Sequence, residues 1–427
     1  MTGTSTTTLR SAAEVALGRQ RSPQHADGEH MVRYLRAANV KDGTLDLTDV
    51  QSMNFTPAEQ STFALRPGDV LVSEGSGSLS SVGASAVWRG ELDGMVCFQN
   101  TLLRLRPRVG VDGRYLEWWA RSAFGSGVFA SIASGANIYH LGAERVRALP
   151  ISLPPLEEQR RIAGFLDTET ARVDILINLR KRQQGLLKER TQQCIADLCT
   201  GRNLPQQKDT QNAWIPRIPI NWNVLPLKRR WSIIDCKHRT PSYLTEGYAV
   251  MSPGDISPGR VDLARANRFV GEEDFADLAD QLRRPRRGDI VYSRNASLGT
   301  AAYVDTDTPF TMGQDVCKIT SATEDQLFLT YTLNTVALNE LRAVQIGSTF
   351  TRVNIGTLLE ISIPCPPAEE QKRIALLMDD AAGKGKDLQR RIDRQIGLLA
   401  ERRQALITAA VTGQIDVSTA SGRGIEE

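Results

Sequence analysis

"PPLEEQRRIAGFLD", from Pro154 to Asp167, and "PPAEEQKRIALLMD", from Pro366 to Asp379, decide how this sequence is read. The two copies start 212 residues apart, and that offset holds without a gap from Gly135 and Gly347 to Gly201 and Gly413. Within it, Leu186-Leu187, Glu189-Arg190 and Thr200-Gly201 fall on Leu398-Leu399, Glu401-Arg402 and Thr412-Gly413. A register kept this long marks a duplicated domain, because solenoid repeats recur every ~20–50 residues and number three or more. Neither copy contains a catalytic-looking residue, so the repeated part reads as mechanical.

Each copy predicts one long helix. Pro155 and Pro367 suit a first helical position, and the glutamates that follow sit where the positive end of the helix dipole favours anions. Gly201 and Gly413 are natural residues for a left-handed helix end. Ile162, Leu166, Val173, Leu176, Leu187 and Cys194 recur at helical spacing, as do Ile374, Met378, Leu388, Ile392, Leu399 and Leu406. Such a narrow apolar seam suits pairing with another helix. Some 40 residues give a rod of roughly 60 Å. Gly383 and Gly385 predict a bend or fray in the second rod.

The sequence divides into a first head at residues 9–150, a helical region at 151–201, a linker at 202–221, a second head at 222–362 and a second helical region at 363–417. The heads are rich in strand-like segments: "VRYLRAANV", "GDVLVSEG" and "NTLLRLR" in the first, "YAVMSPGDI", "GDIVYSR" and "DVCKIT" in the second. They match only in skeleton. Gly68-Asp69-Val70 answers Gly288-Asp289-Ile290, Gln99-Asn100 answers Gln314-Asp315, and "GRQRSP" answers "CKHRTP". The segment from Arg202 to Trp222 is polar and proline-containing, as a linker is. Met1–Thr8 and Ser418–Glu427 read as loose ends. Divergent heads on matched rods imply different targets presented to the same kind of partner.

Composition bounds the rest. With 427 residues, 41% hydrophobic and 24% charged, the expectation is a folded soluble protein of two or three domains. No stretch approaches a membrane span and Met1–Thr8 has no apolar core, so the expected location is cytoplasmic. Six scattered cysteines without a CxxC pair read as small buried hydrophobes, and four histidines without i, i+4 spacing argue against a metal centre. A net charge of +3 says little, but "LKRRWSIIDCKHRTP" and "QLRRPRRGDIVYSR" are locally basic.

The tandem "LPPLEEQRRIAGFLDTETARVDILI" and "PCPPAEEQKRIALL", each between a variable domain and a long helix, resembles the specificity subunit of type I restriction-modification systems. The likeness runs from about Leu9 to Val417. "GSTFTRVNIGTLLEISIP" and "SGANIYHLGAERVRALPISLP" are similar to the family's lead-in to the helices, and "YLRAANVKDGTLDL", "VSEGSGS" and "FQNTLLRLRP" to a frequent type of first recognition domain. The resemblance implies an α+β chain with two globular target-recognition domains. Each is followed by a long helix, and the two helices pack as an antiparallel coiled coil with pseudo-two-fold symmetry. It further implies that each domain reads one half of an asymmetric, interrupted site in double-stranded DNA. The helices then act as a spacer and dock two methyltransferase subunits, to which two restriction subunits can add. S-adenosylmethionine belongs to the methyltransferase, and ATP and magnesium to a restriction subunit. One departure from the pattern is that the second head enters through Trp214, Pro216, Pro219 and Trp222, whereas the first starts near Leu9 without such a segment.

Bases are distinguished in the major groove by side chains offering paired donors and acceptors on exposed loops. The candidate readers in the first head are Arg19, Gln20, Arg21, Ser22, Ser76, Ser78, Asn137, Tyr139 and His140. Those in the second are Lys237, His238, Arg239, Thr240, Ser293, Arg294, Asn295, Thr349, Arg352 and Asn354. Arg283, Arg284, Arg286 and Arg287 are candidate phosphate contacts. The matched pairs Arg21/Arg239 and Gln99/Gln314 read as structural or phosphate-binding, because base readers in differing heads should differ. Two alternatives stand beside this reading. A self-sufficient DNA-modifying enzyme would want an NPPY-like motif or a phosphate loop, and neither occurs; Pro364-Cys365 reads as packing. A coiled-coil scaffold without DNA specificity would not need two large heads. Neither a catalytic residue nor a bound cofactor is expected on this chain.

Overall fold

The computed structural model describes residues 5–280, 282–295, 299–345 and 352–417. Two helices dominate it, Leu156–Thr200 and Ala368–Val411, called here the central and the C-terminal helix. Both stop on a glycine in the left-handed region, Gly201 at φ 62° and Gly413 at φ 73°. At each end an amide reaches back into the last turn, from Arg202 N to Asp197 O and from Gln414 N to Ala409 O, which satisfies carbonyls the helix itself cannot.

The chain forms two compact units that cut across the boundaries expected from the sequence. One comprises Met1–Lys181 with Arg394–Glu427, the other Arg182–Asp393. Each therefore contains a head and one end of both helices. In the first unit the four-stranded antiparallel sheet runs Ala13–Leu17, Leu102–Pro107, Val70–Ser73, Ser85–Val87. A second, three-stranded sheet runs Val96–Phe98, Met31–Leu35, Gln51–Asn54. The helix Gly113–Gly125 starts on Asp112, whose carboxylate accepts from the Arg114 and Tyr115 amides. In the second unit the larger sheet has five strands, in the order Ser232–Asp235, Val316–Thr320, Ile290–Ser293, Thr300–Tyr303, Gly259–Arg260. A helix capped by Asp325 follows at Gln326–Leu333. All six predicted strand segments contain strands. The shared Gly-Asp is a turn: Gly68 and Gly288 both adopt φ 94°, and Asp69 and Asp289 each accept from the amide three residues back.

The repeated motif joins head to helix in the same way in both units. Gln159 is 2% exposed; its Oε1 accepts from Asp112 N at 2.9 Å and its Nε2 donates to Pro154 O at 2.8 Å. Gln371 is 0% exposed; its Oε1 accepts from Asp325 N at 3.0 Å and its Nε2 donates to Pro366 O at 2.9 Å. The last residue of each copy repeats the arrangement two turns further on. Asp167 accepts from Trp118 Nε1 at 2.8 Å, and Asp379 accepts from Tyr331 Oη at 2.8 Å. The apolar side chains between them are part of the head cores. Ile162, Ala163 and Leu166 pack with Trp118, Trp119, Val70 and Leu105. Ile374, Ala375 and Met378 pack with Phe328 and Tyr331.

Within each unit the helix ends pack antiparallel: Arg403 Nε pairs with Asp174 at 2.9 Å in the first. In the second, Gln184 bonds Asp393 at 2.6 Å and Cys199 Sγ lies 3.3 Å from Met378 Sδ. The C-terminal helix continues through Gly383 and Gly385, contrary to the bend expected there. Gly385 is where the helices touch, since a Cβ on it would lie 2.8 Å from Thr191 Oγ1. The predicted seam is also wrong in part. Leu176, Leu388 and Cys194 are exposed, while Ile195, Cys199, Ile407 and Ala410 are buried. A strict repeat misses these because each helix packs on a head as well as on its partner.

Two further expectations are corrected. Residues 202–221 are folded: Gln207–Asp209 pairs with Arg217–Pro219, and Ile215 and Ile218 are buried with Trp222 against Ile195 and Cys199. Ser5–Thr8 is a strand rather than a loose end, paired with Pro150–Leu153 as Asn223–Pro226 is with Ser362–Cys365. The other expected loose end, 418–427, lies outside the described residues.

Gln159→Ala and Gln371→Ala should each cost about 2–4 kcal/mol, since each strands a buried amide and a buried carbonyl; thermal unfolding of the full chain checks this. In the second helix, Gly383→Ala should stabilise by about 0.5–1 kcal/mol because open space surrounds that position. Gly385→Val should lower the melting temperature.

Candidate nucleic-acid interface

In the first head the loop after Val70–Ser73 meets the stretch that leads into the central helix. Ser76 pairs with Tyr139 and Gly75 with His140 in a short antiparallel ladder. Ser78 belongs to the same loop, its amide donating to Ser76 Oγ at 3.2 Å. Asn137 is exposed in the turn closed by hydrogen bonds between Ser134 and His140. The His140 ring is held from below, Nδ1 to Glu74 Oε2 at 2.9 Å. Gln20 and Arg21 are exposed, and Ser22 opens a short turn by accepting from Gln24 N. The Gln99–Thr101 turn links these stretches, because Asn100 N donates to Arg19 O and Glu74 N to Thr101 O.

Arg19 departs from the sequence reading. It is 7% exposed, bonded to Glu59 at 2.7 Å and lying over the Phe55 ring at 5.0 Å. Burial and an internal carboxylate make it a strut of the head instead of a reader.

In the second head the Gln314-Asp315 turn does the same work of gathering. Gln314 Nε2 donates to Thr240 Oγ1 at 3.0 Å, Asn295 Nδ2 to Asp315 Oδ2 at 3.2 Å, and Arg352 pairs with Asp315 Oδ1 at 2.7 Å. Thr240, Asn295 and Arg352 thus converge. Asn354 caps the helix Ile355–Glu360 by accepting from Thr357 N. Thr349 lies outside the described residues. Two candidates are corrected: Ser293 is 0% exposed and donates to Asn295 O, and Arg294 is 3% exposed and pairs with Asp235 at 2.7 Å. Neither reaches the surface, so their sequence position beside a loop was misleading.

The basic stretches are largely neutralised by carboxylates that sequence reading overlooked. Arg239 bonds both Asp274 and Asp277, at 2.6 Å each, and Lys237 also pairs with Asp277. Hydrogen bonds, from Lys237 first and Arg239 second, hold the Asp277 carboxyl below its ordinary range. The i, i+3 spacing of Asp274 and Asp277 on the helix Glu272–Leu278 was the available signal. His238 pairs with Asp235 at 3.1 Å. Among the four expected phosphate contacts, Arg283 pairs with Asp280, Arg287 with Asp307, and Arg284 lies over Phe275, while Arg286 is exposed.

Asp235, Cys236 and His238 bring three donor atoms within 4.8 Å of one another. Asp235 is already matched by the Arg294 guanidinium, and burial pushes the Cys236 thiol up, away from the thiolate a metal requires. The cluster is an ion-pair network. A groove of about 800 Å³ in the second unit, lined by Trp214, Arg217, Asp197 and Arg342 among others, shares no residue with the candidate loops.

Residues 43–184 and 246–396 match the family described as type I restriction modification DNA specificity domain. The putative type I restriction enzyme MjaX specificity subunit of Methanocaldococcus jannaschii is 26% identical over 403 residues, 90% of this chain and 87% of that protein. The type I restriction enzyme EcoKI specificity subunit of Escherichia coli K12 is 31% identical over 140 residues, 33% of this chain and 30% of that protein. In fold, a solved chain from work on complex assembly and conformational transition of the type I R-M system superposes with a TM-score of 0.73. It is 19% identical and covers 97% of this chain and 98% of its own. The HsdS subunit from Thermoanaerobacter tengcongensis follows at 0.54, also 19% identical, with 97% of each chain covered. With two matched segments falling on two heads and their helices, this chain belongs to the family of type I restriction-modification DNA specificity subunits.

Proposed function

We propose that the two heads each read one half of a bipartite, asymmetric site in double-stranded DNA, while the paired helices set the spacing and dock two methyltransferase subunits that carry out the chemistry. The observation that carries this reading is the combination of unlike reading loops with like attachments. Apart from the matched Arg21 and Arg239, the exposed side chains of the loops differ between the heads, yet Gln159 and Gln371 fix both heads to their helices by the same bonds. Different loops on equal mounts give different half-sites at a set separation.

Docking of the same partner twice is supported by the helix surfaces. Leu176 and Leu388 occupy equivalent positions of the duplication and are 48% and 46% exposed. Leu186 and Leu398 are likewise equivalent, at 56% and 54%. Large apolar side chains left in water at matched places are what a repeated protein interface needs. The chain itself supplies no cofactor chemistry: S-adenosylmethionine belongs to the methyltransferase subunits, and ATP with magnesium to restriction subunits where the complex includes them. No helix among the described residues is long and apolar enough to cross a membrane.

Purified alone, the chain should neither methylate nor cleave DNA, and its DNA affinity should fall by orders of magnitude as salt rises from about 50 to 200 mM, as phosphate contacts require; salt-independent binding would contradict the reading. Leu176→Ser with Leu398→Ser should remove one methyltransferase subunit from the complex, and Leu186→Ser with Leu388→Ser the other, as read by native mass spectrometry. Because the helices are antiparallel, four residues inserted after Lys181 need four more after Asp393. Together they lengthen the rod by roughly 6 Å, so methylome sequencing should show a spacer about two base pairs longer with the half-site bases unchanged.

A further inference from the structure

The duplication supplies a filter for base readers. A residue that specifies different bases in two heads should occupy the same place in both, be exposed, and differ in identity. Arg21/Arg239 and Gln99/Gln314 fail the last condition, and Arg294 fails the second. His140 and Arg352 meet all three: they stand 212 positions apart, their side chains are 53% and 46% exposed, and one is an imidazole where the other is a guanidinium.

Each is also held from beneath by a carboxylate of its own head. Glu74, with its side chain only 11% exposed, meets His140 Nδ1 at 2.9 Å, and its other oxygen accepts from Gly142 N. Asp315, 22% exposed, meets Arg352 Nη2 at 2.7 Å and is itself tied by Asn295. The main chain beside both is fixed in the same manner. Leu141 N donates to Glu74 O and Val353 N to Arg294 O, and Glu74 and Arg294 are the residues that follow the equivalent strands Val70–Ser73 and Ile290–Ser293. Arg145 adds a bond to His140 O at 3.1 Å. Conformational freedom that a reading side chain would lose on meeting DNA is thus removed beforehand.

We infer that His140 and Arg352 are equivalent specificity-determining residues, one for each half-site, and that Glu74 and Asp315 are their positioning residues. This rests on the reading of the chain as the DNA-recognition subunit. In a neutral imidazole whose Nδ1 meets a carboxylate, as that of His140 meets Glu74, the proton sits on Nδ1 and Nε2 is left as an acceptor suited to the exocyclic amine of adenine or cytosine. Arg352 keeps N–H donors facing outward, which suit O6 and N7 of guanine. The two heads therefore offer opposite hydrogen-bonding polarity from one place in the fold.

The experiment uses the full chain with its methyltransferase subunits, and methylome sequencing of cells carrying wild type, H140R, H140Q or R352H. H140R and H140Q should change the base accepted at one position of the first half-site, and R352H one position of the second, with on the order of tenfold altered discrimination. E74Q should relax discrimination at the same base pair that H140R alters, leaving the melting temperature and the other half-site as they were. A merely structural Glu74 would lower stability without singling out that base. Unchanged bases in folded H140R and H140Q would overturn the inference while wild type still methylates a bipartite site. An equal loss of affinity for all sequences, with a shallower salt dependence, would also overturn it by making His140 a phosphate contact. Wild type that methylates no bipartite site would instead remove the underlying reading.

Discussion

A single buried amide sets the geometry on which everything else depends. In each unit a glutamine near the start of the long helix is buried between a backbone N–H and a backbone carbonyl, and it satisfies both at once. Such a group contributes about 1 kcal/mol per bond when made and costs more when unmade, so the helix start and the capped helix of the head hold one relative position. Two turns on, Asp167 and Asp379 repeat the constraint with the indole of Trp118 and the phenol of Tyr331. The aromatic partner differs and the carboxylate does not, which is how divergent heads come to share one mount. Burial and the bond to Asp379 both push the Tyr331 phenol well above its ordinary range, so it remains a donor at any physiological pH.

Much of the architecture was legible in the sequence because its signals are local or repeated. The gap-free offset gave the duplication, the terminal glycines gave the helix ends, and short alternating runs between turn residues gave the strands. What escaped was non-local. "EEQ" advertises an exposed polar helix start, and nothing near Gln159 or Gln371 reveals that a distant capping loop closes over the third residue. Gly385 looks like a weak point to a propensity scale, whereas its lack of a side chain admits Thr191 of the facing helix. The segment 202–221 looks polar, yet Ile215, Ile218 and Trp222 are enough to bury it.

That the candidate loops of each head lie together was legible in outline. Loops chosen from turn chemistry and charge do come together, Ser76 with Tyr139 in one head and Thr240, Asn295 and Arg352 around one turn in the other. Charge alone misassigned Arg19 and Arg294, because a guanidinium paired with an internal carboxylate is spelled like one that faces a phosphate. It also hid the acidic residues. Asp235, Asp274, Asp277, Asp280 and Asp307 between them pair with Lys237, His238, Arg239, Arg283, Arg287 and Arg294, so the field offered to a polyanion is weaker than the run of arginines suggests.

The strands that open and close each head lie side by side, Ser5–Thr8 with Pro150–Leu153 and Asn223–Pro226 with Ser362–Cys365. A segment whose two ends are zipped together behaves as a closed loop on its support. Length gained or lost inside it is absorbed between fixed endpoints at a closure cost that grows only with the logarithm of chain length. Each head is therefore built as a replaceable cartridge, free to drift in sequence and size while its plug stays the same shape.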